Sequence, residues 1–105
     1  MITTNSAAVW LNGRHATVAR TDPDGGVSTV EVDRGVEPET SYLVRIVRVI
    51  GDRQRVLILG SSSPRLALER EYVAVFKRPD RLVDVEAAGP TDPTALVKRL
   101  TTLVS

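Results

Sequence analysis

Few residues in this chain could act as a catalyst. Its 105 residues include no cysteine and a single histidine, His15. A cysteine nucleophile, a thiolate metal site and a cluster of metal-binding histidines are therefore excluded. The Gly-x-Ser-x-Gly motif, which presents the nucleophile of many serine hydrolases, is also missing. We predict no catalytic residue, no bound metal and no cofactor, and we expect that the protein is not an enzyme.

Two residues allow either a binding role or a structural one. His15 follows a predicted hairpin turn, where it could contact a phosphate or a base. Trp10 could stack on a base. A partly exposed strand position explains His15 more simply, and an aromatic residue in the first strand of a small sheet usually belongs to the core. We favour the structural interpretation for both.

A serine-rich loop is the best candidate for binding a small ligand. It lies between a predicted strand and a predicted helix, where unpaired backbone N–H groups and the helix dipole favour an anion. The loop consists of Gly60, Ser61, Ser62 and Ser63. No Gly-Lys-Ser/Thr follows, so it is not a Walker-type loop. An ordinary turn whose serine caps the helix explains the same residues, and both interpretations stay open.

Positive charge is concentrated in the middle of the chain. Residues 41–81 hold nine basic and four acidic side chains, a net charge of +5, whereas the segments before and after carry −3 and −1. Arginine clusters suit phosphate backbones, so this block predicts RNA binding. The predicted contacts are Arg45, Arg48, Arg53, Arg55, Arg65, Arg70, Lys77 and Arg78. Alternatively, a GC-rich coding sequence explains why arginine outnumbers lysine twelve to two.

Length and composition are those of one ordinary globular domain. The chain is 42% hydrophobic and 26% charged, and single domains commonly have about 100–150 residues. No apolar run approaches the roughly 18 residues that a membrane span needs, and the N-terminus lacks the pattern of a signal peptide. We expect a single domain over residues 1–105, located in the cytoplasm, with no membrane partner.

The first third of the chain predicts three antiparallel strands. The dipeptide Asn12-Gly13, which readily forms a type I′ turn, joins strands at 7–11 and 14–20. Alternating apolar residues in the second strand predict that one of its faces is buried and the other exposed. A cluster of Asp, Pro and Gly at 21–26 predicts another turn, which leads into a strand at 27–33.

The segment 40–52 fits either a helix or a strand. Starting at Leu43, its apolar residues recur at i, i+3, i+4 and i+7, as on one face of a helix. Its many valines and isoleucines favour a strand instead, which would turn at Gly51 into a second hairpin. We favour the helix, because strict alternation fails, with Thr40 or Ser41 as its N-cap and Gly51 at its end.

The second half of the chain alternates strands and helices. A continuous apolar run at 56–59, which ends at Gly60, predicts a strand at 55–59 that is covered on both faces. The serines before Pro64 predict an N-cap with proline at the first helical position. A short strand follows at 82–86, and Thr91 or Asp92 caps a last helix. The predicted apolar faces of these helices are Leu68, Tyr72, Val75 and Phe76 in the first, and Leu96, Leu100, Leu103 and Val104 in the second.

This order of elements predicts an α/β fold. An antiparallel three-strand meander comes first, and alternating helices and strands follow. Together they predict a mixed five-stranded sheet flanked by three helices.

Four segments of the chain form a recognisable series. They are AAVWLNGRHATVART (7–21), VSTVEVD (27–33), RVLILGSSSPRLALER (55–70) and LVDVEAAGPTDPTALVKRL (82–100). In this order they resemble the opening hairpin, the third strand, a strand–loop–helix unit and the last strand and helix of one domain: the middle domain of the eukaryotic and archaeal peptide-chain release factor and of its Pelota-type paralogues. Short bacterial one-domain relatives are most similar. The resemblance implies a ribonuclease H-like topology and a role in the translation machinery.

The resemblance does not extend to the loop that gives release factors their activity. In that family a long loop after the third strand carries Gly-Gly-Gln, but here the interval spans only 34–39. The single glutamine is Gln54, and the pair Gly25-Gly26 lies in the preceding turn. We therefore do not expect peptide release by this mechanism.

A ribonuclease H-like topology can also carry a two-metal nuclease. That chemistry needs clustered carboxylates, beginning on the first strand. The predicted first and fourth strands contain no acidic residue. Asp84 and Glu86 alternate with apolar residues, so we expect them on the solvated face of an edge strand. A nuclease is not predicted.

Together these patterns predict a non-catalytic, translation-associated domain that binds the ribosome or structured RNA. The alternative is a protein-interaction or homodimerising module without nucleic-acid binding. In that case Val44 and Val49, which lie off the main apolar stripe of their helix, would pack against a partner or a second copy.

Overall fold

The computed structural model describes residues 5–77, 79–89 and 91–104, with the side chains of Ser62, Leu103 and Val104 excepted. Within these residues the predicted α/β fold is confirmed: five strands and three α-helices follow in the predicted order. They are β1 (Ser6–Leu11), β2 (His15–Thr21), β3 (Val27–Asp33), α1 (Glu39–Ile50), β4 (Arg55–Gly60), α2 (Ser62–Phe76), β5 (Leu82–Ala87) and α3 (Pro93–Val104).

The strands form one mixed sheet in the order β3-β2-β1-β4-β5. The meander β1–β2–β3 is antiparallel, as predicted. β4 pairs with β1 in parallel, and β5 pairs with β4 in parallel. Each parallel step requires a crossover, which α1 supplies before β4 and α2 supplies before β5. The carboxyl ends of β1, β4 and β5 therefore meet at one edge of the sheet, which we call the carboxyl edge.

The sheet separates two layers of helices. On one face α1 and α2 cover the odd-numbered residues of β1 together with Val56 and Ile58 of β4. On the other face α3 covers Ala8, Trp10, Leu57 and Leu59 through its own leucines. Because successive side chains of a strand point to opposite faces, β1 and β4 are apolar throughout and buried on both sides.

β2 is more buried than the sequence predicts. The expectation of one exposed face is wrong, because Thr17 and Ala19 are as inaccessible as Ala16 and Val18. α3 packs across β1 onto β2 and covers this second face. The Thr17 hydroxyl nevertheless has a partner, since it donates to Glu31 Oε1 at 2.8 Å, and its burial therefore leaves no unpaired donor.

The hairpin between β1 and β2 exists, but not with the predicted turn. Asn12 and Gly13 both lack the positive φ that a type I′ turn requires. Instead, the Asn12 side-chain oxygen accepts from the amides of Arg14 and His15, each at 2.8 Å. The Tyr42 hydroxyl of α1 donates to the Asn12 carbonyl oxygen at 3.0 Å, and burial raises the pKa of Tyr42 to about 12. The side chain of Asn12, rather than two residues with positive φ, therefore holds this turn together.

The two crossover helices begin earlier than predicted. The N-cap of α1 is Pro38 rather than Thr40 or Ser41, and the helix ends, as predicted, at Gly51 with φ 76°. α2 begins at Ser62, so Pro64 is its third residue, and the Ser61 N-cap makes no side-chain hydrogen bond. In both helices the backbone carbonyl of the N-cap accepts from an amide one turn later, which starts the helix without a polar side chain.

The apolar faces of the later helices are confirmed in part. Leu68 and Tyr72 of α2 are buried, but Val75 is 49% exposed. The rings of Tyr72 and Phe76, whose centroids are 4.9 Å apart, make the contact between this part of α2 and the core. Val75 therefore lies toward the solvent side of the helix. In α3, Leu96 and Leu100 are buried, and Asp92 caps the helix by accepting from the Ala95 amide. The predictions for Leu103 and Val104 lie outside the described side chains.

Gly60 marks the closest approach between the two central strands. Its φ is 145°, and a Cβ built there would lie 2.0 Å from the Leu11 carbonyl oxygen. That same oxygen accepts from the Ser61 amide at 3.2 Å, while the Gly60 carbonyl accepts from Ala88. Any side chain would separate the ends of β1 and β4, because the conflicting atom belongs to the backbone.

We expect Gly60→Ala to lower the free energy of unfolding by more than about 3 kcal/mol, through steric conflict and backbone strain. The measurement is urea unfolding followed by the fluorescence of Trp10, the only tryptophan, which is 7% exposed when folded. Gly13→Ala is the control, because a Cβ there meets no atom within 4 Å. Equal unfolding midpoints for the two variants would contradict the proposed role of Gly60.

Candidate functional site

The side chains predicted to contact RNA differ in their exposure to solvent and in their bonds to the rest of the protein. Five are exposed, two are half-buried, and Arg78 lies outside the described residues. The exposed ones are Arg45, Arg48, Arg55, Arg70 and Lys77, and the half-buried ones are Arg53 and Arg65. Arg45 and Arg48 lie on α1, while Arg65, Arg70 and Lys77 lie on or just after α2. α1 and α2 pack on the same face of the sheet, and we call this pair of helices the α1–α2 layer.

Arg45 and Arg48 are both exposed on α1, but their partners differ. Arg45 donates to the Asp33 carbonyl oxygen at 2.9 Å and forms an ion pair with Glu37. It therefore also holds the loop between β3 and α1. The Arg48 guanidinium forms no hydrogen bond or ion pair with any of the described residues, so its charge is available to a ligand.

The α2 cations lie along the exposed side of the helix. Arg70 Nε makes only a long hydrogen bond, 3.4 Å, to the carbonyl oxygen of Leu66 in its own helix. Lys77 ends α2 in the left-handed conformation, with φ 56°, and is exposed. Residues seven apart lie two turns apart on the same side of a helix, so Arg70 and Lys77 can follow one extended anion.

Arg53 has a role within the fold. Its Nε donates to the Ile50 carbonyl oxygen at 2.7 Å, and its Nη1 donates to the Thr21 carbonyl oxygen at 2.8 Å. The Tyr72 hydroxyl donates to Gly51 O and accepts from the Arg53 amide. Burial lowers the pKa of Arg53. This residue therefore joins the end of α1, the end of β2 and the middle of α2, which spacing alone could not reveal.

The serine loop lies where the sequence predicts it, at the carboxyl edge of the sheet. Ser61 and Ser63 are exposed, and Gly60 is buried. The Ser61 amide is already used by β1, since it donates to the Leu11 carbonyl oxygen. The amides of residues 62 and 63 precede the first amide that the helix itself pairs, that of Arg65, so they face a ligand or water.

The structure reveals one charged cluster that the sequence analysis did not identify. His15 lies between two carboxylates of β3: its Nδ1 is 2.7 Å from Asp33 Oδ1, and its Nε2 is 2.5 Å from Glu31 Oε1. The strand register creates this cluster, because His15 pairs with Asp33 and Thr17 pairs with Glu31. Counting outward from the predicted turn at 21–26 pairs position 20 with position 27 and His15 with Val32. This is one residue away from the observed register, so the sequence does not predict these partners.

The carboxylates raise the pKa of His15 above its ordinary value of 6.5. The hydrogen bond that His15 donates to Asp33 is the largest cause, and desolvation of the ring opposes it. A protonated ring donates from both nitrogens, and a neutral ring donates from only one. Both ring nitrogens thus lie within hydrogen-bond distance of a carboxylate oxygen. His15 fastens the edge strand β3 to β2.

We expect His15 to stabilise the fold most at low pH. A raised folded pKa means that this contribution is complete below about pH 6.5 and is lost as the pH rises through the folded value. The urea midpoint of the wild type, minus that of His15→Gln, should therefore decrease from about pH 5.5 to about pH 8.5. NMR titration of this single imidazole gives its pKa directly, and Asp33→Asn should lower it. A titration at or below 6.5 would contradict the bridge.

A shallow groove of about 440 Å³ lies beside the first hairpin, between it and the loop that follows β3. Arg34 joins the two loops by donating to the Glu37 and Gly13 carbonyl oxygens. Arg14 also lines the groove and is exposed. Val36, at the tip of the second loop, is fully exposed.

The acidic residues of β5 lie on an edge strand, as predicted. Asp84 is exposed, and Glu86 forms an ion pair with Arg99 of α3 at 2.7 Å. No three acidic, histidine or cysteine residues within the described part of the chain are placed to hold one metal ion. Trp10, as expected, belongs to the core, where its Nε1 lies 3.4 Å from the Ala88 carbonyl oxygen.

The apolar residues considered for self-association are not freely exposed. Val44 and Val49 are half-buried, and Val49 packs against the main core. Larger exposed fractions occur at residues outside α1, namely Val27, Val36, Leu66, Val75 and Val83. An apolar contact with a partner would therefore use these residues rather than Val44 or Val49.

None of the helices formed by the described residues is both long and apolar enough to cross a membrane. The chain matches no protein-family model, and no curated protein is significantly similar to it.

Proposed function

We propose that this protein is a non-catalytic domain that binds ribosomal or other structured RNA through the α1–α2 layer. The observation that carries the proposal is the pair of exposed guanidinium groups on neighbouring helices, Arg48 on α1 and Arg70 on α2. Neither group is committed to a salt bridge with a described residue. Lys77 and the outer side of Arg45 extend the same positive surface.

The resemblance to the release-factor middle domain supports a translation-associated, cytoplasmic role. The strand order β3-β2-β1-β4-β5, with an antiparallel meander followed by parallel strands, is what we expect of a ribonuclease H-like topology. The loop after β3 is short and contains no glutamine. We therefore propose binding without peptide release.

Charge reversal on the α1–α2 layer should weaken RNA binding and its salt dependence. We expect Arg48→Glu and Arg70→Glu each to reduce affinity several-fold, and to lower the slope of log affinity against log salt by about 1 for each lost phosphate contact. The measurement is fluorescence anisotropy with a labelled structured RNA at several salt concentrations. Co-sedimentation with ribosomes provides the second readout.

Lys98→Glu is the matched control, because Lys98 is equally exposed but lies on α3, on the opposite face of the sheet. It makes the same change in net charge and should leave affinity nearly unchanged. The proposal fails if the wild type binds no RNA at low salt, or if Lys98→Glu costs as much as Arg48→Glu. Concentration-dependent light scattering without RNA binding would favour the homodimerising alternative.

A further inference from the structure

β3 forms one edge of the sheet, so only one side of its backbone is paired. The Arg34 amide donates to the Arg14 carbonyl oxygen at one end of the β2–β3 hairpin. The Asp22 amide donates to the Gly26 carbonyl oxygen at the other end. Because the backbone groups of every second residue point to the same side of a strand, these two bonds show which residues face β2. The groups that point to β2 belong to Ser28, Val30 and Val32, and those that point away from the sheet belong to Val27, Thr29, Glu31 and Asp33. We call the second set the outward residues.

Most backbone groups of the outward residues have no partner among the described residues. Asp33 is the exception, since its carbonyl oxygen accepts from Arg45 of α1 at 2.9 Å. This bond is itself evidence that the set points outward, because a helix side chain could not reach an oxygen that faces β2. Val27, Thr29 and Glu31 keep both backbone groups unpaired. A row of such groups is a template for a further strand.

The face of β3 beside this edge is open as well. The side chains of the outward residues lie on the α3 side of the sheet, where Glu31 accepts from Thr17. α3 covers β1 and β2 on this side, but all four outward side chains are exposed. On the other side Val30 and Val32 pack against the main core. An added strand would therefore extend the sheet without displacing any helix from it.

The charge around the edge indicates which strand fits. Residues 21–33 hold four acidic side chains and no basic one. Two of the four belong to β3: the side chain of Glu31 is 48% exposed and that of Asp33 is 82% exposed. His15 lies between them and, when protonated, offsets only one of the four charges. A second copy of this chain would bring an equally acidic edge, and RNA would bring phosphates, so repulsion disfavours both.

We propose that the free edge of β3 binds an extended basic segment of a partner protein, which adds to the sheet as a sixth strand. Hydrogen bonds to the outward backbone groups hold the segment, and lysine or arginine at every second position lies beside Glu31 and Asp33. The unpaired edge is the site, and the carboxylates select its occupant. This site is separate from the α1–α2 layer and does not depend on the RNA binding proposed above.

The probe is a synthetic peptide in which lysine alternates with threonine, titrated into the full chain and followed by amide hydrogen exchange in heteronuclear NMR. We expect the amides of Val27, Thr29 and Glu31 to exchange about tenfold more slowly when the peptide concentration is about ten times its Kd. The amides of Ser28, Val30 and Val32 already donate to β2, so the peptide should slow them much less. A peptide with glutamate in place of lysine has the same backbone and should not bind.

Thr29→Pro is the direct test of the edge. It removes an outward amide but no bond to β2, as proline on an edge strand can, and should abolish peptide binding. Thr29→Ala is the matched control, because it keeps the amide and should bind like the wild type. Urea unfolding followed by Trp10 fluorescence checks that both variants fold. Asp33→Asn keeps the backbone intact, and it should weaken peptide binding several-fold and reduce its dependence on salt.

Three results would overturn the proposal. The first is unchanged exchange of the outward amides with the lysine peptide, since the carboxylates then only keep other strands away from the edge. The second is equal binding by folded Thr29→Pro and Thr29→Ala, or by the lysine and glutamate peptides. The third is slower exchange of these amides when the concentration of the protein alone is raised, because a second copy then occupies the edge. Failure of the wild type to bind RNA changes none of these results.

Discussion

The parallel pairing of β1 with β4 is the contact on which the rest of the structure depends. Every residue of β1, and all but the first residue of β4, is buried. Two strands covered on both faces need helices on both sides, which explains why α1 and α2 occupy one face and α3 the other. The centre of the sheet has no space for ionised groups. Charged residues are therefore found at the sheet edges, on the outer sides of the helices and in the loops.

Arginine serves two purposes in this protein. Arg20, Arg34, Arg53 and Arg81 bind backbone carbonyl oxygens where loops and helix ends meet the sheet. A planar guanidinium with several donors suits this task, and its aliphatic stem can lie on apolar surface. The +5 charge of the central segment therefore overstates the charge available to an anion, because part of it is used within the fold. The burial of each side chain, rather than the number of arginines, therefore distinguishes the arginines that bond within the fold from those available to an anion.

The sequence was sufficient to predict the fold class, the meander and the helical state of the segment that begins at Leu43. It was also sufficient to locate the serine loop. It failed at the first turn, where the Asn12 side chain bonds to two backbone amides, and at β2, because α3 covers the second face of that strand. The bridge at His15 was missed, because the predicted turn at 21–26 implies a register one residue away from the observed one. The Nε and Nη1 donors of Arg65, which are buried without a partner among the described residues, could not be predicted either, because the burial of single atoms depends on how α2 packs.

The pairing of β1 with β4 also has a kinetic consequence. Short turns connect β1 to β2 and β2 to β3. In contrast, β4, which is the other neighbour of β1 in the sheet, is synthesised only after the meander and α1 are complete. Contacts between distant segments slow folding, because the intervening chain must be closed into a loop first. Until Gly60 has left the ribosome, β1, in which every residue is buried in the complete fold, has one unpaired edge. Protection of this edge against association with other chains is therefore a requirement of synthesis, before any requirement of function.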